Sequence, residues 1–475
     1  MSAFNPAEYP RDLAGYGRNP PDPRWPGGAR VALQFVVNYE EGGENNILHG
    51  DAASEAFLSE IVGAQPWPGM RHMNMESIYE YGSRAGFWRL HRLFTERDVP
   101  LTVYAVATAM VRNPEAVTAM NEAGWEIATH GYKWIDYRDT PREVEQMHIA
   151  EAIRIHTEVA GKRPLGFYQG RSSINTIPLG CEEGGFLYCA DAYADDLPYW
   201  IDGPKGPQLI VPYTLDSNDM RFAAPQGFNS GDQFYAYLKD AFDVLYAEGA
   251  TAPKMLSIGL HCRLVGRPAR AASLARFLDY ALGHDKVWFA TRLDIARHWI
   301  ARFPPPGGWK PSRLTKTLFV ERFGGVYEHS PWIAEAAYDA VFSAEADSAG
   351  GLAKAMARAA AKGSDAQKRA LIDAHPDLAG KLALANVLTA QSTREQKSAG
   401  LDRLTPDELE RFSDANAAYR SRFGFPFIMA VKGKTKADIL AAFAARLKQE
   451  PAAELETALG EIDRIAALRI AEIMA

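Results

Sequence analysis

The chain has 475 residues, of which 47% are hydrophobic and 23% are charged. This length predicts two or three folded domains, because a domain usually takes roughly 100 to 200 residues, and the composition excludes global disorder. The formal net charge of -7 at pH 7 gives no basic excess, so we expect no nucleic-acid partner. No run of about 18 apolar residues occurs, so we expect no membrane partner either.

Three cysteines are present, an odd number without the spacing of a zinc site. A disulfide framework and a structural zinc ion are therefore not expected. The first residues lack the basic and apolar regions of a secretion signal, which makes the cytoplasm the expected location.

The segment FPPPGGWKPSR, residues 303–313, has the proline and glycine content of a linker. Nine of the eleven histidines precede it, and the last 125 residues are rich in alanine. We therefore expect two different folds on either side of it. The predicted divisions are a first domain over residues 1–305, a linker over 306–312 and a second domain over 313–475.

In the first part, short apolar runs typical of buried strands alternate with helical patterns. This alternation predicts a parallel sheet or a barrel. The predicted strands are VALQFVV, LTVYAVA, WEIATH, GFYQG, FLYCADAY, LIVPYTL, MLSIGLH and VWFATR. The second part carries helical spacing throughout, with predicted helices over 334–346, 351–363, 365–374, 377–391, 405–424, 435–450 and 451–475, and it is expected to form an all-α bundle.

Polar residues follow five of the predicted strands, at the strand ends that face the active-site loops of a parallel barrel. They are Glu40 and Glu41, His130, Arg171, Asp191 and His261. One such residue is commonly a loop or capping group, but five positions at the same edge favour a site. The carboxylate pair Glu40 and Glu41, the two imidazoles and the guanidinium can activate water, deliver a proton and bind a carbonyl oxygen.

The phrases NYEEGGE, HGYKWID, GRSSINT and DDLPYW resemble the allantoinase branch of the polysaccharide deacetylase (NodB-homology) superfamily, over about residues 10 to 305. The resemblance implies a distorted (β/α) barrel with Glu40 as general base and Glu41 in the position of a metal ligand. The family's His-x-x-x-His motif is present only as His130, since Trp134 stands where the second histidine belongs. A catalytic metal usually has three protein ligands, whereas only one carboxylate and one imidazole remain here, so we expect no bound metal.

What the resemblance implies is hydrolytic opening of the hydantoin ring of allantoin to allantoate. Glu40 is the expected base and His261 the expected acid, although Glu41 and His130 stay open as alternative bases. Arg171 or His130 would hold a carbonyl oxygen, and the residues expected to bind substrate are Glu41, Arg171 and Asp191.

In the second part, His375 lies in DAHPDLAGK, where Pro376 is expected to start a helix and leave the imidazole exposed at the helix N-terminus. The helix dipole would there disfavour the imidazolium form. STREQ, residues 392–396, and the apolar FGFPFIMAV, residues 423–431, follow. Taken singly, these are commonly a cap and a core segment.

Together, FVERFGGVYEHSPWIAE, HPDLAGK, STREQKSAGL, NAAYRSRFGFPFI and EIDRIAALRI resemble the OHCU decarboxylase family, which acts on 2-oxo-4-hydroxy-4-carboxy-5-ureidoimidazoline (OHCU). The resemblance implies His375 as catalytic acid, Glu395 as a second catalytic residue at the ureido group and Arg469 at a substrate carboxylate. The further substrate-binding residues that it implies are Pro376, Ser392, Thr393, Arg394, Gln396, Phe427, Ile428, Met429, Ala430 and Val431. No cofactor is expected, because the substrate's own C=N group can accept the electrons.

The sequence therefore predicts a bifunctional enzyme of urate degradation whose two small-molecule substrates, OHCU and allantoin, are consecutive. A homo-oligomer is expected, since both families commonly form oligomers. Two alternatives stay open. One is a metal-dependent carbohydrate deacetylase with a helical partner domain, and the other is a decarboxylase with a catalytically silent barrel.

Overall fold

The computed structural model describes residues 10–225, 227–341, 343, 345–379, 392, 395–397 and 399–475. The chain forms two compact units and passes from the first to the second between Pro306 and Gly307. No helix in these residues is long and apolar enough to cross a membrane.

The first unit is built on a nine-stranded sheet, in which strand β1 is buried along its whole length. The strands are β1 (Val31–Tyr39), β2 (Thr102–Ala105), β3 (Glu126–Thr129), β4 (Gly166–Phe167), β5 (Tyr188–Cys189), β6 (Tyr199–Gly203), β7 (Gly206–Ile210), β8 (Lys254–His261) and β9 (Val287–Phe289). Their order is β6-β7-β5-β4-β3-β2-β1-β8, with β9 paired to β1. All pairs are parallel except β6 with β7. This curled half-barrel confirms the predicted distorted barrel.

Strand β1 pairs with β8 and β2 and so aligns the strand ends that carry the site. Its residues pair with β8 up to Asn38 opposite His261, and on its other edge its last residues pair with β2. Because the pairs are parallel, the carboxyl ends of β1, β2 and β8 lie at one edge of the sheet. All eight predicted strands are present. Strand β6 was not predicted, since its residues are half-exposed and give no apolar run.

Helices cover the sheet: α1 (Met73–Tyr81), α2 (Phe87–Thr95), α3 (Ala107–Arg112), α4 (Pro114–Glu122), α5 (Arg142–Ala160), α6 (Thr176–Glu183), α7 (Gly231–Glu248), α8 (Pro268–Leu282) and α9 (Arg292–Arg302). Their ends follow local chemistry. Helix α9 begins at a capping box formed by Thr291 and Asp294, and α5 ends at Gly161, whose φ of 74° is left-handed.

The described part of the second unit is helical, as predicted: α10 (Lys316–Phe323), α11 (Trp332–Ala337), α12 (Ala349–Ala361), α13 (Asp365–Asp373), α14 (Pro406–Phe423), α15 (Lys436–Arg446) and α16 (Pro451–Met474). The helix predicted over 334–346 is shorter, because only residues up to Ala337 continue the α-helix. Most of the helix predicted over 377–391 lies outside the described residues.

The expectation that Pro376 starts a helix and exposes His375 is wrong. Residues 376–379 are not helical, and His375 follows the C-terminal end of α13 instead, with its backbone N–H donated to the carbonyl of Ile372. The imidazole is buried, with 7% of the residue exposed. Apolar residues on both sides of the turn, Leu371 and Ile372 before it and Leu378 after it, are buried together with His375, so the dipole argument does not apply.

Candidate active sites

The first candidate site is a cavity of about 590 Å³ at the carboxyl edge of the sheet. Glu40, His130, Arg171 and His261, four of the predicted site residues, line it together. Further lining comes from Asn38, Phe57, Leu58, Trp134, Asp136, Arg138, Tyr168, Gly170, Ser172, Tyr193, Tyr213, Leu215, Asn218 and Met220.

Glu40 stands at the centre of this site and is 1% exposed. Its Oε1 lies 3.3 Å from Nε2 of His130 and 3.4 Å from Nε2 of His261. Its Oε2 lies 2.7 Å from Nη2 of Arg263. One carboxylate thus contacts three basic groups, which come from the ends of β3 and β8.

His261 is oriented by Asp219, which was not among the predicted site residues. The Nδ1 atom of His261 lies 2.6 Å from Oδ1 of Asp219, and the other carboxylate oxygen accepts the backbone N–H groups of His261 and Val265. Asp219 is fully buried, in a short helical turn before α7. This carboxylate accepts the Nδ1 proton, so Nε2 carries a proton toward Glu40 only when His261 is in the imidazolium form.

These contacts set the protonation states. Burial alone would raise the pKa of Glu40, but the charges of Arg263 and His261 outweigh burial and hold that pKa well below its usual value. Burial disfavours the imidazolium of His261, yet Glu40 and Asp219 raise the pKa of His261 to about 9. At neutral pH the site therefore holds an ionised carboxylate beside a protonated imidazole.

Glu41 lies behind the cavity rather than in its wall. Its Oε1 is 3.5 Å from Nη1 of Arg263, and burial raises the pKa of this carboxyl group. Asp191 also lies outside the lining. Its carboxylate accepts the backbone N–H groups of Gln169 and Gly170 at 2.6 and 2.7 Å, and burial raises the pKa of Asp191 to about 6. Asp191 therefore stabilises the backbone beside the cavity, and Glu41 pairs with the guanidinium of Arg263 behind it.

Arg171 reaches the cavity wall beside Trp134. Its guanidinium carbon lies 5.0 Å from the centre of that ring, and its Nη1 lies 3.4 Å from Oε2 of Glu55. The side chain is 21% exposed, so it can also offer donors to a ligand in the cavity.

The residues around Glu40 do not fit the divalent ion that deacetylases of this fold use. In the described parts of the chain, no three His, Cys, Asp or Glu side chains converge as a metal site. Trp134 presents an indole instead of a second imidazole, and a guanidinium is already paired with both Glu40 and Glu41. A divalent cation bound there would be repelled by the positive charge of the Arg263 guanidinium.

The second candidate site is a cavity in the helical unit. It brings together ten of the predicted residues: His375, Pro376, Ser392, Glu395, Gln396, Phe427, Ile428, Met429, Val431 and Arg469. Leu378 and Ile465 complete the lining, and neither was predicted. Ala430 lines an adjacent small cavity that Glu395, Val431 and Arg469 also border. Thr393 and Arg394 lie outside the described residues.

Arg469 organises the polar side of this cavity. Its Nε and Nη2 donate to the two carboxylate oxygens of Glu395 at 2.7 and 2.9 Å, a bidentate pair. Its Nη1 donates to Glu328 at 3.0 Å, and Nη2 lies 3.2 Å from the hydroxyl of Ser392. Glu328, which is 3% exposed, was not predicted, although it belongs to the quoted VYEHSPW phrase.

His375 has one ring nitrogen engaged. Its Nδ1 lies 2.8 Å from the carbonyl oxygen of Leu371, so Nδ1 carries the proton and Nε2 has the lone pair. Burial lowers the pKa of His375 below its usual value. The imidazole is therefore neutral at pH 7 and can accept a proton at Nε2.

Comparison with known proteins gives a separate match for each unit. The polysaccharide deacetylase family model matches residues 75–178, and the OHCU decarboxylase family model matches residues 312–471. Among solved structures, that of PuuE allantoinase has 64% sequence identity to this chain and a TM-score of 0.62. The match covers 62% of this chain and 99% of that one.

Two relatives extend these matches. A polysaccharide-deacetylase-type protein of Schizosaccharomyces pombe is 43% identical over 314 residues, covering 62% of this chain and 98% of the relative. The 2-oxo-4-hydroxy-4-carboxy-5-ureidoimidazoline decarboxylase of Halalkalicoccus jeotgali is 42% identical over 162 residues, covering 34% of this chain and 88% of the relative.

Proposed function

Because this chain belongs to the polysaccharide deacetylase family through its first unit and to the OHCU decarboxylase family through its second, we propose that it catalyses two consecutive steps of urate degradation. The second unit decarboxylates OHCU to (S)-allantoin, and the first opens the allantoin ring to allantoate. The proposal is supported by two groupings of side chains: Glu40, His130, Arg171 and His261 line one cavity, and His375, Glu395 and Arg469 line the other.

For decarboxylation, His375 is the proton carrier. The substrate carries a hydroxyl and a carboxylate on the same ring carbon, so loss of CO2 sends an electron pair toward the neighbouring C=N group. The neutral Nε2 of His375 accepts the hydroxyl proton, and the resulting imidazolium returns it to the adjacent ring carbon from one side. The ring nitrogen that received the electron pair takes a second proton from solvent. Delivery from one side gives a single enantiomer of the product.

Arg469 and Glu395 hold the substrate for this step. The substrate carboxylate replaces a carboxylate oxygen of Glu395 at the guanidinium of Arg469, and Glu395 turns to the ureido N–H groups. Glu328 keeps the guanidinium in place during the exchange, since it pairs through the other nitrogen. The backbone of residues 427–431 faces the ring, and no cofactor takes part.

For ring opening, Glu40 is the base and His261 is the acid. Glu40 accepts a proton from a water that attacks the ring carbonyl, Arg171 holds the developing oxyanion, and His261 protonates the departing ring nitrogen. The proton on Glu40 then passes to His261 across the 3.4 Å between Oε1 and Nε2. This transfer restores both groups for the next turnover.

We also propose the limits of the two domains, the cellular location and the oligomeric state of the enzyme. The ring-opening unit takes residues 1–305, the linker 306–312 and the decarboxylase 313–475. We place the protein in the cytoplasm as a homo-oligomer. Its three cysteines are free and buried, which supports a reducing compartment.

Separate assays of the purified chain with OHCU and with racemic allantoin test the two activities. Consumption of the S enantiomer of allantoin, together with CO2 release from OHCU, supports the proposal. Activity toward an acetylated sugar oligomer instead of allantoin would favour the deacetylase alternative, and decarboxylation alone would favour the silent barrel.

A further inference from the structure

Arg263 is a charged side chain buried beneath the first cavity, with no exposed surface. Its Nε donates to the carbonyl oxygen of Leu58 at 2.9 Å. Its two terminal nitrogens lie 2.7 Å from Glu40 and 3.5 Å from Glu41. A buried guanidinium is tolerated when carboxylates pair with it, and here it has two.

Aromatic rings complete the surroundings of this guanidinium. Its central carbon lies 4.3 Å from the centre of the Tyr79 ring and 5.2 Å from that of Trp134. Trp134 occupies the place of the second histidine in the His-x-x-x-His motif, and Glu41 occupies that of the acidic metal ligand. Two positions that serve a metal ion in deacetylases therefore both contact Arg263.

We propose that Arg263 is a positioning residue that takes the place of the catalytic divalent cation, holding the Glu40 carboxylate between the imidazoles of His130 and His261. This inference rests on the proposed ring-opening function for its catalytic consequence, but not for its claim about metal exclusion. Arg263 does not line the cavity, so it acts through Glu40 rather than on the substrate.

A guanidinium suits this task because its charge is permanent and its planar donors fix the direction of a carboxylate. Its presence also keeps a metal ion out. A dication bound by Glu41 and His130 would stand within a few ångströms of a buried positive charge, where the low dielectric strengthens repulsion. Replacing Trp134 by histidine supplies a ligand but does not remove this charge.

Cobalt binding tests the exclusion without any substrate. Apo protein is titrated with Co2+ and the visible d–d absorption is recorded for wild type, Trp134→His, and Trp134→His combined with Arg263→Ala. We expect one bound Co2+ per chain only in the double variant. Equal binding by wild type or by the single variant, or no binding by the double variant, would overturn the proposal.

Steady-state ring opening tests the positioning role in the full-length chain. Arg263→Met is expected to lower kcat by about 10²-fold or more with a small change in KM, because Glu40 loses its fixed partner. Arg263→Lys keeps the charge and is expected to recover about tenfold of that loss. Arg270→Met is the matched control, since Arg270 pairs with Glu60 at the surface.

Two further readouts keep folding and function apart. Near-UV circular dichroism of the tryptophan-rich first unit must stay that of wild type for Arg263→Lys, and decarboxylation must be unchanged in every variant. A folded Arg263→Met with wild-type kcat would overturn the positioning role. If wild type fails to open allantoin at all, the proposed function fails, whereas the cobalt experiment still decides the exclusion claim.

Discussion

The Oε1 atom of Glu40 lies 3.4 Å from Nε2 of His261, and both side chains are buried at the floor of one cavity. The two groups are held in opposite charge states, the carboxylate by its basic neighbours and the imidazolium by two carboxylates. A base and an acid that share a contact can pass a proton between them. This arrangement allows ring opening to proceed through the chain's own side chains.

The pH profiles of the two activities should have limbs of opposite sense. Ring opening needs His261 protonated, and its pKa is raised to about 9, so kcat should be lost as pH rises through about 9. Decarboxylation needs His375 neutral, and its pKa is lowered by burial, so that activity should be lost only as pH falls below the usual histidine range. Both profiles are measured on one preparation. Ring opening that increases through pH 9 would contradict this assignment.

Asp219→Asn removes one of the two carboxylates that stabilise the imidazolium of His261. The pKa of His261 should fall, so the alkaline limb of ring opening should move down by about 1 pH unit or more. At pH 8 kcat should fall by about twofold, because about half of His261 would then lack the second proton, and the loss should approach about tenfold at pH 10. Asp232→Asn, at an exposed ion pair with Arg276, serves as the control and should change neither quantity. An unmoved limb would show that Asp219 does not set this protonation.

His375→Ala should abolish decarboxylation and leave ring opening unchanged. The substitution removes the proton carrier of the second cavity, and no residue of the first cavity is altered. Release of CO2 from OHCU and formation of allantoate from allantoin are measured separately on the same variant. Loss of both activities would contradict the expectation that the two sites work independently.

A buried ion pair supports the second cavity from behind. Arg446 donates through Nε to Glu454 at 2.8 Å and through Nη1 to the carbonyl oxygen of Ile428, a lining residue. Glu454→Gln removes the charge that compensates the guanidinium and should lower the free energy of unfolding of this unit by ~3 kcal/mol. The urea midpoint of decarboxylase activity reports this loss. The exposed Glu456→Gln on the same helix should leave the midpoint unchanged, and equal midpoints for both variants would contradict this role.

Apolar runs predicted eight of the nine strands of the first unit, and the strand ends predicted Glu40, His130, Arg171 and His261 in its cavity. The same rule placed Asp191 there, although it turns to backbone N–H groups, because strand position does not determine side-chain direction. Asp219 and Arg263 belong to no sequence motif that would mark them as site residues. They become visible only when chain folding brings them to His261 and Glu40.

In the second unit, the family resemblance identified ten of the residues that line the cavity. The prediction made from the local sequence, that His375 is exposed at a helix N-terminus, is wrong. A proline after a histidine suggested a helix start, but burial against the turn after α13 decided the conformation. Tertiary packing outweighed the local signal there. Glu328 was missed because a single acid within a quoted phrase gives no sign that it will pair with Arg469 across the sequence.

The most direct test follows OHCU through both steps in one reaction. Purified chain is given OHCU in the presence of a strong chelator, and circular dichroism and ¹³C NMR follow (S)-allantoin and allantoate over time. We expect transient (S)-allantoin followed by allantoate, at rates that the chelator does not change. Accumulation of (S)-allantoin without allantoate, or ring opening that stops when the chelator is added, would contradict it.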